Sequence, residues 1–140
     1  MILFECYADE RLVRTLLPEL SKKEYSHAGN KTEVIKRLNK TKNGRKYIGL
    51  VDRDPHSNPP GFFHYFTLLK NFEELKMSIY SFKENNAKLV VIEPELEGWI
   101  INVAHSIHFK LRDYGLPEDP DKLHEVINEK RNLDNFSRLV

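Results

Sequence analysis

Three acidic side chains follow hydrophobic runs at positions where a strand would end. Glu5 comes directly after Met1-Ile2-Leu3-Phe4, and Asp52 and Asp54 come after Tyr47-Ile48-Gly49-Leu50-Val51. Side chains alternate along a strand, so Asp52 and Asp54 share one side while Arg53 takes the other. Carboxylates gathered in one place repel each other unless a cation joins them. An all-oxygen set suits Mg²⁺ or Mn²⁺, and magnesium characteristically bridges one or two carboxylates to a substrate phosphate. Metal ligation by Glu5, Asp52 and Asp54 therefore points to phosphoryl transfer or phosphodiester cleavage.

Two basic residues stand near these acids in the reading. Lys31 falls in the first turn of a helix opened by Asn30, where backbone amides already favour an anion. Lys31 and Arg53 are accordingly the candidate substrate-phosphate ligands. Glu93, Glu95 and Glu97 crowd a helix start, where the dipole favours negative charge. His105 and His108 are spaced like zinc ligands, but no third ligand motif accompanies them. Cys6 is the only cysteine, so no internal disulfide framework exists. A carboxylate beside it raises a thiol's pKa and weakens it as a nucleophile.

These residues need a frame to bring them together. Helical spacing appears at Leu12, Val13, Leu16, Leu17 and Leu20 with Asp9 as N-cap, and at Val34, Ile35 and Leu38 behind Asn30 and Glu33. Strands are expected at 1–4, 25–28, 47–51, 77–82 and 88–92, with Glu84-Asn85-Asn86 as a hairpin turn. Lys42-Asn43-Gly44 reads as a turn, and His56–Gly61 as an irregular loop. Residues 62–76 show helical spacing through Phe66, Leu69, Phe72 and Leu75. A long amphipathic helix is expected from Leu96 to a stop near Gly115, with a shorter one from Asp121 to Arg131.

Strands alternating with helices predict an α/β protein: a Rossmann-like open, mainly parallel sheet with helices on both faces, plus C-terminal helices. If the order runs 2-1-3-4, strands one and three are neighbours where strand order reverses, and ligands of such sheets sit beyond the carboxyl ends of the strands there. Residues 1–116 form the α/β core, and 117–140 a C-terminal helical extension of the same domain.

Several of these motifs together resemble the Toprim family, the catalytic domain shared by topoisomerases, primases and the overcoming-lysogenisation-defect nucleases. Ile2-Leu3-Phe4-Glu5 resembles its first strand, Ala8-Asp9 the positions that follow, and Leu50-Val51-Asp52-Arg53-Asp54 its Asp-x-Asp strand. Gly29-Asn30-Lys31 resembles the Gly-x-Lys segment of nuclease-type members. Pro94-Glu95-Leu96-Glu97-Gly98-Trp99 resembles the Pro-x-x-Glu-x-Trp motif of small Toprim-like defence proteins. Cys6 stands where family members carry glycine. The resemblance implies a Toprim-like fold with Glu5 as metal ligand or general acid/base, Asp52 and Asp54 holding Mg²⁺ or Mn²⁺, and Glu97 completing the catalytic set. The implied activity is a divalent-metal-dependent nuclease or other phosphodiester hydrolase acting on DNA or RNA. The alternative is a non-catalytic module that binds nucleic acid or protein. No ATPase motif is present, so a P-loop would come from a partner ATPase; a homodimer is the other expected assembly.

Bulk properties fit this frame. The 140 residues are 40% hydrophobic, 11% aromatic and 31% charged, ordinary for a globular domain. Net charge is +1, from 22 basic and 21 acidic residues, so a polyanion must meet a local patch rather than a basic protein. No run approaches the ~20 apolar residues of a membrane span, and the apolar start is too short for a signal peptide. A cytoplasmic protein with no membrane partner is expected.

Overall fold

Short strands with β-branched and aliphatic residues on both faces build the centre of the molecule. The computed structural model describes residues 1–42, 45–53 and 62–128. Its elements are β1 (Ile2–Phe4), α1 (Tyr7–Leu16), β2 (Tyr25–His27), α2 (Lys31–Asn39), β3 (Ile48–Asp52), β4 (Phe66–Phe72), β5 (Met77–Phe82), β6 (Lys88–Ile92), α3 (Leu96–Ser106) and α4 (Pro120–Asn128). Six strands form one sheet in the order β2-β1-β3-β6-β5-β4. The four strands β2, β1, β3 and β6 are parallel, and β5 and β4 add antiparallel to that core. The molecule is α/β with a mostly parallel sheet.

Alternation along the strands divides the core in two. Phe4, Leu50 and Ile92 face α1, α3 and α4, with Leu12, Ile100, Leu123 and Ile127 buried against them. Leu3, Val51, Leu89 and Val91 face Val34 and Leu38 of α2. Helices therefore cover both faces. Gly49 lets α2 approach closely, because a Cβ there would lie 2.6 Å from Val34 Cγ1.

Strand and helix boundaries match the sequence reading in part. Asn30 caps α2, its Oδ1 accepting the Glu33 amide at 2.9 Å. Cys6, not Asp9, is the N-cap of α1; Asp9 is the third helical residue and reaches back to the cap. The 62–76 segment is not one helix: Phe62–Tyr65 and Glu73–Leu75 are single 3₁₀ turns on either side of a strand. Residues 66–72 form β4, whose register shifts between Leu68 and Lys70. That bulge adds one residue to the strand, breaks the period-two alternation and leaves apolar positions at helix-like spacing. The expected long helix after Pro94 stops at Ser106; His108 takes a left-handed φ of 59°, and Leu111–Tyr114 makes a separate single turn ending at Gly115. The 84–86 turn does join β5 and β6. Asn43, Gly44, Asp54, the 56–61 loop and the 129–140 tail lie outside the described residues. Among the described residues no helix is long and apolar enough to cross a membrane.

Candidate functional site

The strand order reverses between β1 and β3: the chain steps from β1 to β2 on one side, then returns to β3 on the other. Glu5 follows the last residue of β1, and Asp52 is the last of β3. Their adjacency at this crevice was the central expectation, and the geometry supplies it. The Asp52 amide donates to Glu5 Oε2 at 3.1 Å. Lys31, the first residue of α2, is 3% exposed, and its Nζ stands 3.5 Å from Asp52 Oδ1. A buried lysine held on an aspartate is a far more constrained group than a solvated helix-surface lysine.

Electrostatics mark the same spot. Burial first, and the Asp52 charge second, push the Glu5 carboxyl up to about 7; Lys31 pulls it the other way. Asp9 is 5% exposed. It accepts the Cys6 amide at 3.1 Å and the Cys6 thiol at 3.3 Å. Burial raises its carboxyl to about 6 despite those bonds, with the charges of Asp52 and Glu97 adding to the rise. Burial, then the Asp9 carboxylate, also pushes the Cys6 thiol upward, which makes it a poor nucleophile.

Glu97 lies in the first turn of α3 with its side chain buried, and Oε1 meets His124 Nδ1 of α4 at 2.7 Å. It joins the acidic cluster on the Asp9 side. Arg53 pairs with Glu93, at the end of β6. Asp54, the second acid of the expected pair, is outside the described residues.

Three residues escaped sequence reasoning. Helical spacing makes Asp9 a cap and the Toprim resemblance gives it a place but no role; its burial beside the charges of Asp52 and Glu97 does not show in the sequence. His124 contacts Glu97 from an element 27 residues away, and no local pattern announces such a partner. His27 ends β2 on the same edge of the sheet, pairs with Glu10 and lies 4.3 Å, centroid to centroid, from the exposed Tyr7 ring. The only signal for His27 is its place at a strand end.

The set Glu5, Asp9, Asp52 and Glu97 carries four acids against Lys31, the one buried cation among the described residues. Among the described residues, no group of three or more acids, histidines or cysteines is placed to hold a metal ion. Magnesium does not require such a group, since it keeps waters and takes one or two protein carboxylates. Comparison with protein-family models, with curated proteins and with solved structures gives no significant match.

Proposed function

We propose that the protein is a Toprim-like, divalent-metal-dependent enzyme that cleaves or otherwise processes phosphodiester bonds of nucleic acid. The observation that carries this reading is the Glu5–Asp52–Lys31 contact at the carboxyl ends of neighbouring parallel strands. Oxygen donors with excess negative charge fit Mg²⁺ or Mn²⁺, held by Glu5 and Asp52 with Asp54 as the third expected ligand. When bound, the ion supplies charge neutralisation and Lewis acidity at a phosphoryl oxygen.

The chain's own groups have distinct roles. Without metal the Glu5 carboxyl, raised to about 7, can hold a proton near neutral pH; Glu5 serves either as a ligand that gives up that proton when the ion binds or, where Asp52 and Asp54 alone hold the ion, as general acid/base. Lys31 neutralises Asp52 and offers its ammonium to a non-bridging phosphate oxygen at the start of α2, where the helix dipole adds to the attraction. Arg53, tethered by Glu93, contacts the neighbouring phosphate. Glu97, oriented by His124, and Asp9 set the negative potential behind the reacting groups.

One observation favours a second reading, a module that binds without cleaving. Cys6 and Asp9 close the start of α1 with their own hydrogen bonds, at the position where Toprim members carry a glycine that admits phosphate to the backbone. One experiment separates the two. Single- and double-stranded DNA and RNA are incubated with the protein and with Asp52→Ala, in Mg²⁺ and in Mn²⁺. Cleavage by the wild type alone supports the enzyme; equal products from both proteins sink the site.

A further inference from the structure

The acids occupy one edge of the sheet. At the other edge, where β1 and β3 begin, the charge is reversed. The chain leaves α2 through Arg37 and Lys40, passes Thr41 and Lys42, and re-enters the sheet by way of Arg45, Lys46 and Tyr47. Arg37, Lys40, Lys42 and Arg45 line an open groove of about 360 Å³ that contains no acidic side chain. A second hollow of about 640 Å³ shares Arg45 and Tyr47 with the first and continues to Lys46 and Lys88, with Glu84 its one acid. The two form a continuous basic track.

Internal structure does not account for these cations. The α2 dipole favours Arg37 and Lys40 at its C-terminal end, but Lys42 and Arg45 lie beyond the helix. Among the described residues, none of the four forms an ion pair, although Arg37 donates to Ser26 Oγ at 3.1 Å; the salt bridges of this helix are those of Lys31 with Asp52 and of Lys36 with Glu33. The protein as a whole is nearly neutral, so this concentration of charge is local; Glu33 offsets part of the Arg37 and Lys40 charge.

We propose that the track is a second anion site, distinct from the carboxylate site, that binds the sugar-phosphate backbone of a nucleic acid. A groove with cations set along it matches a regular line of phosphates, and the Tyr47 ring that lines both hollows suits a base or sugar better than an acidic peptide. This inference rests on nucleic acid being the partner, but not on cleavage.

The test is a binding titration in EDTA, using labelled single-stranded RNA and DNA of about 30 nucleotides, longer than one site. The variant Lys40→Glu/Lys42→Glu/Arg45→Glu is compared with wild type, with Lys40→Gln/Lys42→Gln, and with Lys110→Glu/Arg112→Glu as an exposed charge control. Removal of three phosphate contacts should weaken binding about 100-fold at 0.1 M salt and flatten the salt dependence by about two in log–log slope. The charge control should bind like wild type, the charge-conserving Lys40→Arg/Lys42→Arg/Arg45→Lys should keep its affinity, and the milder Lys40→Gln/Lys42→Gln should lose a smaller, stepwise share of it. Undiminished binding by the triple reversal overturns the track, as does a wild type that binds polyglutamate of matched charge but no nucleic acid. A protein that binds through the track yet never cleaves overturns only the nuclease reading.

Discussion

Asp9 is almost fully enclosed, faces other acids, and is held by the backbone and thiol of Cys6. Its carboxyl and that of Glu5 keep their protons more tightly in the folded chain than in the unfolded one, at about 6 and about 7 against 3.8 and 4.5. The folded state therefore binds more protons between those limits. Their contribution to metal-free stability is complete below the unfolded values and is lost as pH rises through 6 to 7. For Asp9 this is worth on the order of 2–3 kcal/mol. Asp9→Asn should remove that slope, so its melting temperature in EDTA should gain on wild type as pH climbs from 4.5 to 7.5; parallel curves would refute the linkage. Lys31 acts in the opposite sense on Glu5. Lys31→Met should raise the Glu5 titration midpoint, read by NMR of its carboxyl in metal-free protein. At this scale the sequence announced the acids, because a carboxylate after an apolar strand is a local pattern. It could not announce that Lys31 is buried or that His124 supports Glu97, since both depend on contacts between elements distant in the chain.

Between elements, the closest fit is that of α2 against β3. Gly49 leaves no room for a methyl group beside Val34. Gly49→Ala should cost about 1–3 kcal/mol by overpacking, and Val34→Ala in the same chain should recover part of that loss; additive costs in denaturant melts would contradict the close approach. The β5–β6 turn is also tied to α2. Buried Asn85 donates to the carbonyls of Leu38 at 2.7 Å and Thr41 at 3.0 Å, while its own oxygen accepts the Ala87 amide. Asn85→Ala should destabilise by about 1–3 kcal/mol, because the freed carbonyls stay buried. The strand–turn–strand pattern around Asn85 was readable from Glu84-Asn85-Asn86 flanked by apolar runs. Its anchoring role was not, and neither was β4, whose bulge at Leu69 counterfeits a helical period.

The whole molecule is balanced in net charge yet divided, with acids at the carboxyl ends of the parallel strands and cations at their starts. Salt should therefore affect binding of a polyanion steeply while leaving the fold nearly untouched. The 2-1-3 part of the strand order could be anticipated from the acids that follow β1 and β3; that 88–92 and not 77–82 lies beside β3 could not, nor could the two-strand antiparallel addition, since only the β5–β6 half of it was visible. The C-terminal α4 shares the core of the sheet through Leu123 and Ile127, both 0% exposed. Leu123→Ala should cost about 2–5 kcal/mol in a single cooperative transition; a separate, earlier transition would mean that α4 folds on its own.

Strand β1 sits at the centre of the parallel core, bonded to β2 on one side and β3 on the other. It is the earliest strand in the chain, and its partners lie some twenty and some forty-five residues downstream. Closing those long loops costs chain entropy before any strand contact repays it. The β4–β5–β6 meander has no such delay, because each of its turns is local. In refolding, amides of Phe66–Ile92 should gain protection from hydrogen exchange before those of Ile2–Phe4. The edge that carries Glu5 would then be among the last parts of the protein to assemble, and chains still short of that step would already present a formed sheet without the carboxylate crevice.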